Sequence, residues 1–323
     1  MADEDRIVRE VAAAVKLAEG ERGVRSVLAA VARLEPVATR RLARTVDLPV
    51  PIVASVCGEL RKRGVVSDVR PNRFTTLGRS LFAAGALPLA NAELDPVRRE
   101  LRRIARNAPA PRLDLDQCHC TAETKLRRVL ALHEADALVG RRILLLGDDD
   151  LTSLALDAVV RSFGSSATIA ELCVVDIDPA VVAHVGRELE GAPFAFESVR
   201  HDLRRPLPPR LAGRFDSVLT DPPYTVSGAS LFLARALEAL DTRGGDVFLS
   251  FGSRRPGAAL GLQREIARLG LAITRLTRDF NEYEGAGVIA GTSSLYQLAA
   301  GPEAARPVAE HFTGPLYTAD VAI

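Results

Sequence analysis

Arg142-Ile143-Leu144-Leu145-Leu146-Gly147-Asp148-Asp149-Asp150 opens on an apolar run and closes on one glycine and three acids. A short apolar run bounded by a glycine fits a strand covered on both faces. Similar runs recur at 168–175, 194–199, 217–219 and 246–251, and again near 271–276, with helical spacing between them. Strands that alternate with helices predict a parallel, doubly wound α/β sheet. A last strand is expected at 295–298, antiparallel at the sheet edge.

In a doubly wound sheet ligands sit beyond the carboxyl ends of the strands, and here those ends are acidic. Gly147-Asp148-Asp149-Asp150 follows the first strand, Asp176-Ile177-Asp178-Pro179 the second, His201-Asp202 the third, and Asp221-Pro222-Pro223-Tyr224-Thr225 the fourth. Asp176, 29 residues after Gly147, stands where a carboxylate accepts from both hydroxyls of a ribose. Asp202 is placed to meet an adenine amino group, and Asp178 suits a helix cap. These spacings resemble the Rossmann-like methyltransferases, which bind S-adenosylmethionine; the G-x-G-x-x-G turn of nicotinamide sites is absent.

Asp148, Asp149 and Asp150 depart from a glycine-rich turn. At close range they would repel a methionine carboxylate or a pyrophosphate, and they suit a polyamine or an aminopropyl sulfonium, both cationic. One or two of them, Asp150 first, are expected to cap the helix over 151–163, with at least one other facing the ligand. Asp221-Pro222-Pro223-Tyr224 resembles the D-P-P-Y signature of amino methyltransferases. Consecutive prolines fix the backbone so that carbonyls accept from an incoming amine, and the tyrosine ring covers it. An adjacent carboxylate takes the proton as nitrogen attacks the sulfonium carbon.

The chain has 323 residues and a net charge of +1. Residues 1–112 hold 21 Lys and Arg against 13 Asp and Glu, and the remainder holds 21 against 28. A basic front is thus joined to an acidic part, and an acidic domain favours cationic substrates. Helical spacing over 5–34, short helices at 37–48 and 51–63, and two brief strands at 65–77 around Arg70-Pro71-Asn72 resemble a winged helix. Its recognition helix would be 53–62, with Arg61, Lys62 and Arg63 at its end and Arg73 on the wing; packing or dimerisation is the alternative use. The expected domains are 1–90, winged-helix-like; 91–112, a linker with a short helix at 96–107; and 113–323, the Rossmann-like domain. An acidic N-terminus and the lack of any run of about 18 apolar residues lead to a cytoplasmic protein with no membrane contact. Four cysteines are too scattered for a disulfide framework. Cys118-His119-Cys120 has no fourth ligand spaced nearby, so packing rather than metal binding is expected of it.

Several of these stretches, taken together, carry a family resemblance. They are Leu115-Asp116-Gln117 with Thr121, Glu123 and Thr124; Gly147 to Leu151 with Ser153; His201 to Arg204 with Pro206-Leu207-Pro208; Phe215-Asp216 with Asp221 to Thr225 and Gly228; and Phe280-Asn281-Glu282-Tyr283. In this combination, over about residues 30–300, the chain resembles the branched-chain polyamine synthase family. The resemblance implies transfer of aminopropyl groups from decarboxylated S-adenosylmethionine, a co-substrate, to the secondary amine of spermidine, with methylthioadenosine released and no metal. It makes Asp149, Asp221 and Tyr224 catalytic, and adds Asp150, Pro222 and Pro223 to the substrate pocket. Gly147, Asp148, Asp176 and Asp202 would hold the nucleoside, and Gln117, Glu123 and Thr124 would close the donor side. Two features depart from the family: the Cys118-His119-Cys120 run, and a tail at 303–323 without an acidic, lid-like extension. Asn281 and Tyr283, in a polar stretch flanked by Gly285 and Gly287, suit either a lid or a surface turn. The implied partner is a small polyamine, with a homodimer expected and nucleic acid not. Two other readings stay open: an S-adenosylmethionine-dependent amino methyltransferase acting on nucleic acid, and a winged-helix regulator that senses a polyamine.

Overall fold

The computed structural model describes residues 2–82, 91–164, 167–252, 255–284, 291–304 and 311–320. The chain divides into two compact units. The first comprises Met1–Glu93, Leu132–Val139 and Phe163–Ala167, and the second Leu94–Ala131, Gly140–Ser162 and Thr168–Ile323. Among the described residues no helix is long and apolar enough to cross a membrane.

The first unit is helical: α1 (Ala2–Val15), α2 (Gly20–Leu34), α3 (Thr39–Val46), α4 (Val50–Lys62) and α5 (Thr76–Phe82). Val8, Val11, Val24, Val27 and Val31 recur at helical spacing and form its core with Leu42, Val53, Val56 and Leu60. The two strands expected at 65–77 contract to single antiparallel bridges, Val66 with Phe74 and Val37 with Asn72. Pro71 has no N–H to extend a ladder, and side chains add to the few backbone bonds, such as those exchanged by Val37 and Asn72 at 2.9 Å. Buried Asn72 donates to the Val37 carbonyl (3.0 Å) and Thr39 Oγ1 (3.1 Å), while Arg61 donates to the Ser67 carbonyl and to Asn72. Lys62 and Arg63 pair with Glu59, and Arg63 also with Glu10. The cations at the end of the expected recognition helix are therefore engaged within their own unit.

The expected linker at 91–112 lies partly on α6 (Asn91–Arg106), longer than the short helix anticipated there. Leu94, Val97, Leu101 and Ile104 are buried along one stripe of it, and the dense arginines of the other face are what made the segment read as a linker. Gly285 and Gly287, proposed to flank a lid, fall outside the described residues.

In the second unit a seven-stranded sheet is described, in the order β3 (Ala195–Arg200), β2 (Glu171–Asp176), β1 (Arg142–Leu146), β4 (Ser217–Thr220), β5 (Gly245–Phe251), β7 (Thr292–Ala300), β6 (Leu271–Glu282). The first five are parallel, as expected of a doubly wound sheet. The last strand corrects the expectation. β7 is antiparallel but lies inside the sheet, between β5 and β6. Its residues Leu295, Tyr296 and Leu298 are buried, whereas β6 exposes Arg275 and Arg278 and so suits the edge. Helices α7 (Ala122–Glu134), α8 (Thr152–Phe163), α9 (Pro179–Glu188), α10 (Val226–Ala239) and α11 (Pro256–Arg268) complete the unit.

The strand order reverses at β1, which pairs with β2 on one side and β4 on the other. Leu146 is level with Val175 and with Thr220, so Gly147, Asp176 and Asp221 emerge side by side at the switch point, where open α/β sheets bind ligands. β6 is antiparallel to β7, which is antiparallel to β5, so the carboxyl end of β6, with Asn281 and Glu282, reaches the same end of the sheet.

Gly244, which leads into β5, has φ +107°, and a Cβ there would press on the Ala300 carbonyl of β7. Gly244→Ala is expected to destabilise the protein by roughly 2–4 kcal/mol. Gly140→Ala, at φ +69° with open space around it, should cost only about 1 kcal/mol. Urea unfolding measures both, and equal losses would contradict a backbone clash at Gly244.

Candidate active site at the carboxyl end of the sheet

A cavity of about 300 Å³ opens beyond β1, β2, β3 and β4. Gln117, Gly147, Asp149, Asp176, Asp202, and Asp221 to Tyr224 line it, all anticipated from the sequence. Asp148, Asp150, Glu123 and Thr124 do not.

The turn after β1 explains two of these absences. Gly147 turns the chain at φ +75° and donates its N–H to the Val175 carbonyl (2.8 Å). The Asp148 carboxylate accepts from the Ser153 N–H (3.3 Å) and, in a short bond, from the Ser153 hydroxyl. Asp148 therefore holds the start of α8, the role expected first of Asp150. The exchange follows from Leu151, whose left-handed backbone (φ +53°) delays the helix to Thr152 and leaves the cap to the acid two residues before Asp150. Asp150 instead turns inward, accepting from the Cys120 N–H and from Arg128 Nη1 (2.6 Å).

Glu123 and Thr124, expected to close the donor side, are held elsewhere. Glu123 is half exposed and pairs with Arg98. Thr124 is buried and accepts the Glu282 N–H (3.0 Å), fastening α7 to the end of β6.

Arg128 of α7 is the principal group that the sequence did not reveal. Its side chain is 1% exposed. Besides Asp150, it donates from Nη2 to Asp221 Oδ2 (2.7 Å) and from Nε to Asn281 Oδ1 (2.9 Å). Lys125, one turn earlier and equally buried, donates to the Cys120 carbonyl (2.7 Å). The available signal was two cations at i and i+3 among Leu126, Val129 and Leu132, on the apolar side of a helix. Tyr283 completes the wall: its hydroxyl donates to Asp221 Oδ2 (2.6 Å) and lies 2.6 Å from that of Tyr224.

Charge follows from these partners. Enclosure and repulsion by Asp150, Asp176, Asp221 and Asp148 raise the Asp149 pKa well above the carboxylate range. Among the described residues the Asp149 carboxylate accepts one bond, from the Cys118 N–H (3.2 Å). Burial opposes ionisation of Asp150, but Arg128 and Lys125 hold it below its ordinary value. Asp221 is pushed up to about 6, because burial and Asp150 outweigh the opposing pull of Arg128.

On the other side of the cavity, Asp176 accepts the N–H groups of Asp148 and Asp178, both at 2.8 Å. Asp178 caps α9 through the Ala180 N–H (2.8 Å), as anticipated, and also accepts from Gln117 (3.2 Å). Asp202 is gripped by the Arg204 guanidinium and N–H, which override its partial burial and lower its pKa. The Pro223 carbonyl accepts from the Thr225 N–H (2.7 Å), so this expected amine acceptor is partly committed to the turn.

His119 Nδ1 is 2.8 Å from the Asp149 carbonyl and Nε2 is 2.8 Å from that of Pro109. A His119 nitrogen and carboxylate oxygens of Asp149 and Asp150 lie within 4.8 Å of one another, and they could meet on a cation only by giving up bonds already made. Cys120 Sγ lies 3.7 Å from Lys125 Nζ, and Cys118 donates to the Glu284 carbonyl.

A sequence profile of the branched-chain polyamine synthase A C-terminal domain matches residues 96–307. An uncharacterised protein of Methanocaldococcus jannaschii is 33% identical over 90% of this chain and 77% of its own length. The N(4)-bis(aminopropyl)spermidine synthase of Thermococcus kodakarensis is 30% identical over 84% of this chain and 80% of its own. The fold is similar to that of the branched-chain polyamine synthase of Thermus thermophilus, solved in complex with N4-aminopropylspermidine and 5'-methylthioadenosine, with a TM-score of 0.62, 23% identity and coverage of 99% and 98% of the two chains.

Burial pushes Asp148 up to about 7, against the bonds from Ser153. Between about pH 4 and pH 7 the folded protein keeps a proton that the unfolded chain releases, so this group's contribution to stability falls as pH rises through that window and levels off above it. Asp148→Asn removes the titration. From pH 4 to pH 7 the unmodified protein should lose stability relative to the variant by on the order of a few kcal/mol. Urea unfolding across that range tests this, and parallel curves would contradict it.

Proposed function

The chain belongs to the branched-chain polyamine synthase family, and on that premise we propose that it transfers aminopropyl groups from decarboxylated S-adenosylmethionine to the secondary amine of a polyamine such as spermidine. The product is a branched polyamine, and methylthioadenosine leaves. The observation that carries this reading is Asp149: its carboxylate faces the cavity, accepts a single hydrogen bond among the described residues, and has a raised proton affinity.

A polyamine nitrogen is protonated in water and must lose that proton before it can attack carbon. Asp149 takes it. In an enclosed site a neutral acid beside a neutral amine is favoured over the desolvated ion pair, so the environment that raises the Asp149 pKa also promotes the transfer. The freed lone pair attacks the methylene carbon bound to the sulfonium, the C–S bond breaks, and its electrons return to sulfur, leaving a neutral thioether. Asp221 and Tyr224 line the same pocket and position the nitrogen. Asp176 and Asp202 receive the nucleoside, with Gln117 beside them. The remaining cationic amines of the polyamine are drawn by the excess of carboxylates over cations around the cavity.

The 1–90 unit fits a winged-helix-like module used for packing or for pairing two copies of the chain. The engagement of Arg61, Lys62 and Arg63 within it supports that use over nucleic-acid binding.

Asp149→Asn is expected to lower the rate of methylthioadenosine release from decarboxylated S-adenosylmethionine and spermidine by about 10²–10⁴-fold with the fold retained. Chromatographic assay of the nucleoside, with circular dichroism as the folding control, checks this. A variant with unimpaired turnover would remove Asp149 from the chemistry.

A further inference from the structure

We propose that Arg128, which lies outside every motif at the strand ends, is the positioning residue that divides the acidic cluster into two carboxylates sharing its charge and one proton acceptor. The proposal rests on the aminopropyl-transfer reading and adds to it what makes Asp149, rather than its neighbours, the base.

The geometry is that of a fork held by three elements. One Nη meets Asp150 in the turn after β1, the other meets Asp221 after β4, and Nε meets Asn281 at the end of β6. The amide of Asn281 is itself fixed: its Nδ2 donates to Ser250 Oγ (3.0 Å) and Ser293 Oγ (2.9 Å), which turns its oxygen toward Arg128. A lysine offers one compact charge and could not satisfy acceptors on three sides of a plane.

Two consequences follow for the reaction. Asp150 and Asp221 share the positive charge, while Asp149 forms no ion pair among the described residues and faces the cavity. Proton affinity is thereby concentrated on Asp149 instead of being spread over three crowded acids. Arg128 also sets the direction of the hydroxyl chain. Asp221 Oδ2, already holding Arg128, accepts the Tyr283 hydroxyl, and the Tyr283 oxygen in turn accepts from Tyr224 and, at 3.4 Å, from Arg128 Nη2. That chain fixes the tyrosine ring at the pocket wall.

The test compares the unmodified protein with Arg128→Gln, Arg128→Lys and the doubly substituted Arg128→Gln, Asp221→Asn. Loss of the cation leaves the pocket more negative, so Arg128→Gln should bind the polyamine no more weakly, with an unchanged or lower KM, while kcat falls about a hundredfold. The acid limb of its pH–rate profile should move up by about one pH unit, because Asp149 now shares its protons with two uncompensated neighbours. Removing the Asp221 charge in the double variant should return the limb toward its original position. A residue that merely braces the fold would lower stability and leave the limb and KM in place, and that result overturns the proposal. If Arg128→Gln does not fold, Arg128→Lys, which keeps the charge but loses the fork, should show lowered kcat with a smaller limb shift; full activity would overturn the proposal. Carbon-13 titration of the Asp carboxyls in the unmodified protein and a folded variant needs no turnover. An upward shift of Asp221 and Asp149 in the variant supports the proposal even if the aminopropyl reaction is not observed, and unchanged titrations refute it even if it is.

Discussion

Asp148, Asp149, Asp150, Asp176 and Asp221 converge at the ends of three neighbouring strands, and the cations buried with them are Lys125 and Arg128. Carboxylates enclosed this closely cannot all stay ionised without compensation. The protein meets the constraint in three ways. Arg128 and Lys125 hold Asp150, with Arg128 also holding Asp221; N–H and hydroxyl donors hold Asp148 and Asp176; and raised proton affinity accounts for the rest. Asp149 is the member left with least, and it faces the cavity. A cationic ligand supplies what the protein withholds, and this deficit links the architecture to chemistry on amines.

The fold makes such crowding achievable. Parallel pairing of β1 with β2 and β4 brings three strand ends level, and the Gly147 turn lets the chain double back without a side chain in the way. The antiparallel pair β7 and β6 then returns the chain so that Asn281 and Tyr283 arrive at the same end. Groups far apart in sequence are thus assembled around a guanidinium from α7.

Much of this was legible in the residues. Strand ends announce themselves by a break from apolar to polar, so Asp149, Asp176, Asp202 and Asp221 could be placed at the cavity from pattern alone. What could not be read depends on contacts that pattern does not encode. The capping role passed from Asp150 to Asp148 because of one left-handed residue, Leu151. Glu123 was singled out by its neighbourhood in the sequence, yet the turn of α7 carries it outward to Arg98. Arg128 was overlooked because an arginine on a helix is ordinarily solvated; the two carboxylates that make its burial tolerable, Asp150 and Asp221, come from distant segments. The position of β7 inside the sheet reflects burial on both faces, which a short apolar run does not by itself assign to edge or centre.

The claim that the acidic turn selects against a carboxylated donor is tested most directly by calorimetric titration of decarboxylated and intact S-adenosylmethionine against the same protein. Repulsion by the turn after β1 predicts that the decarboxylated nucleoside binds at least about tenfold more tightly, a difference of about 1.4 kcal/mol. Equal or tighter binding of the intact form, with its carboxylate seated against Asp148 to Asp150, would contradict the account.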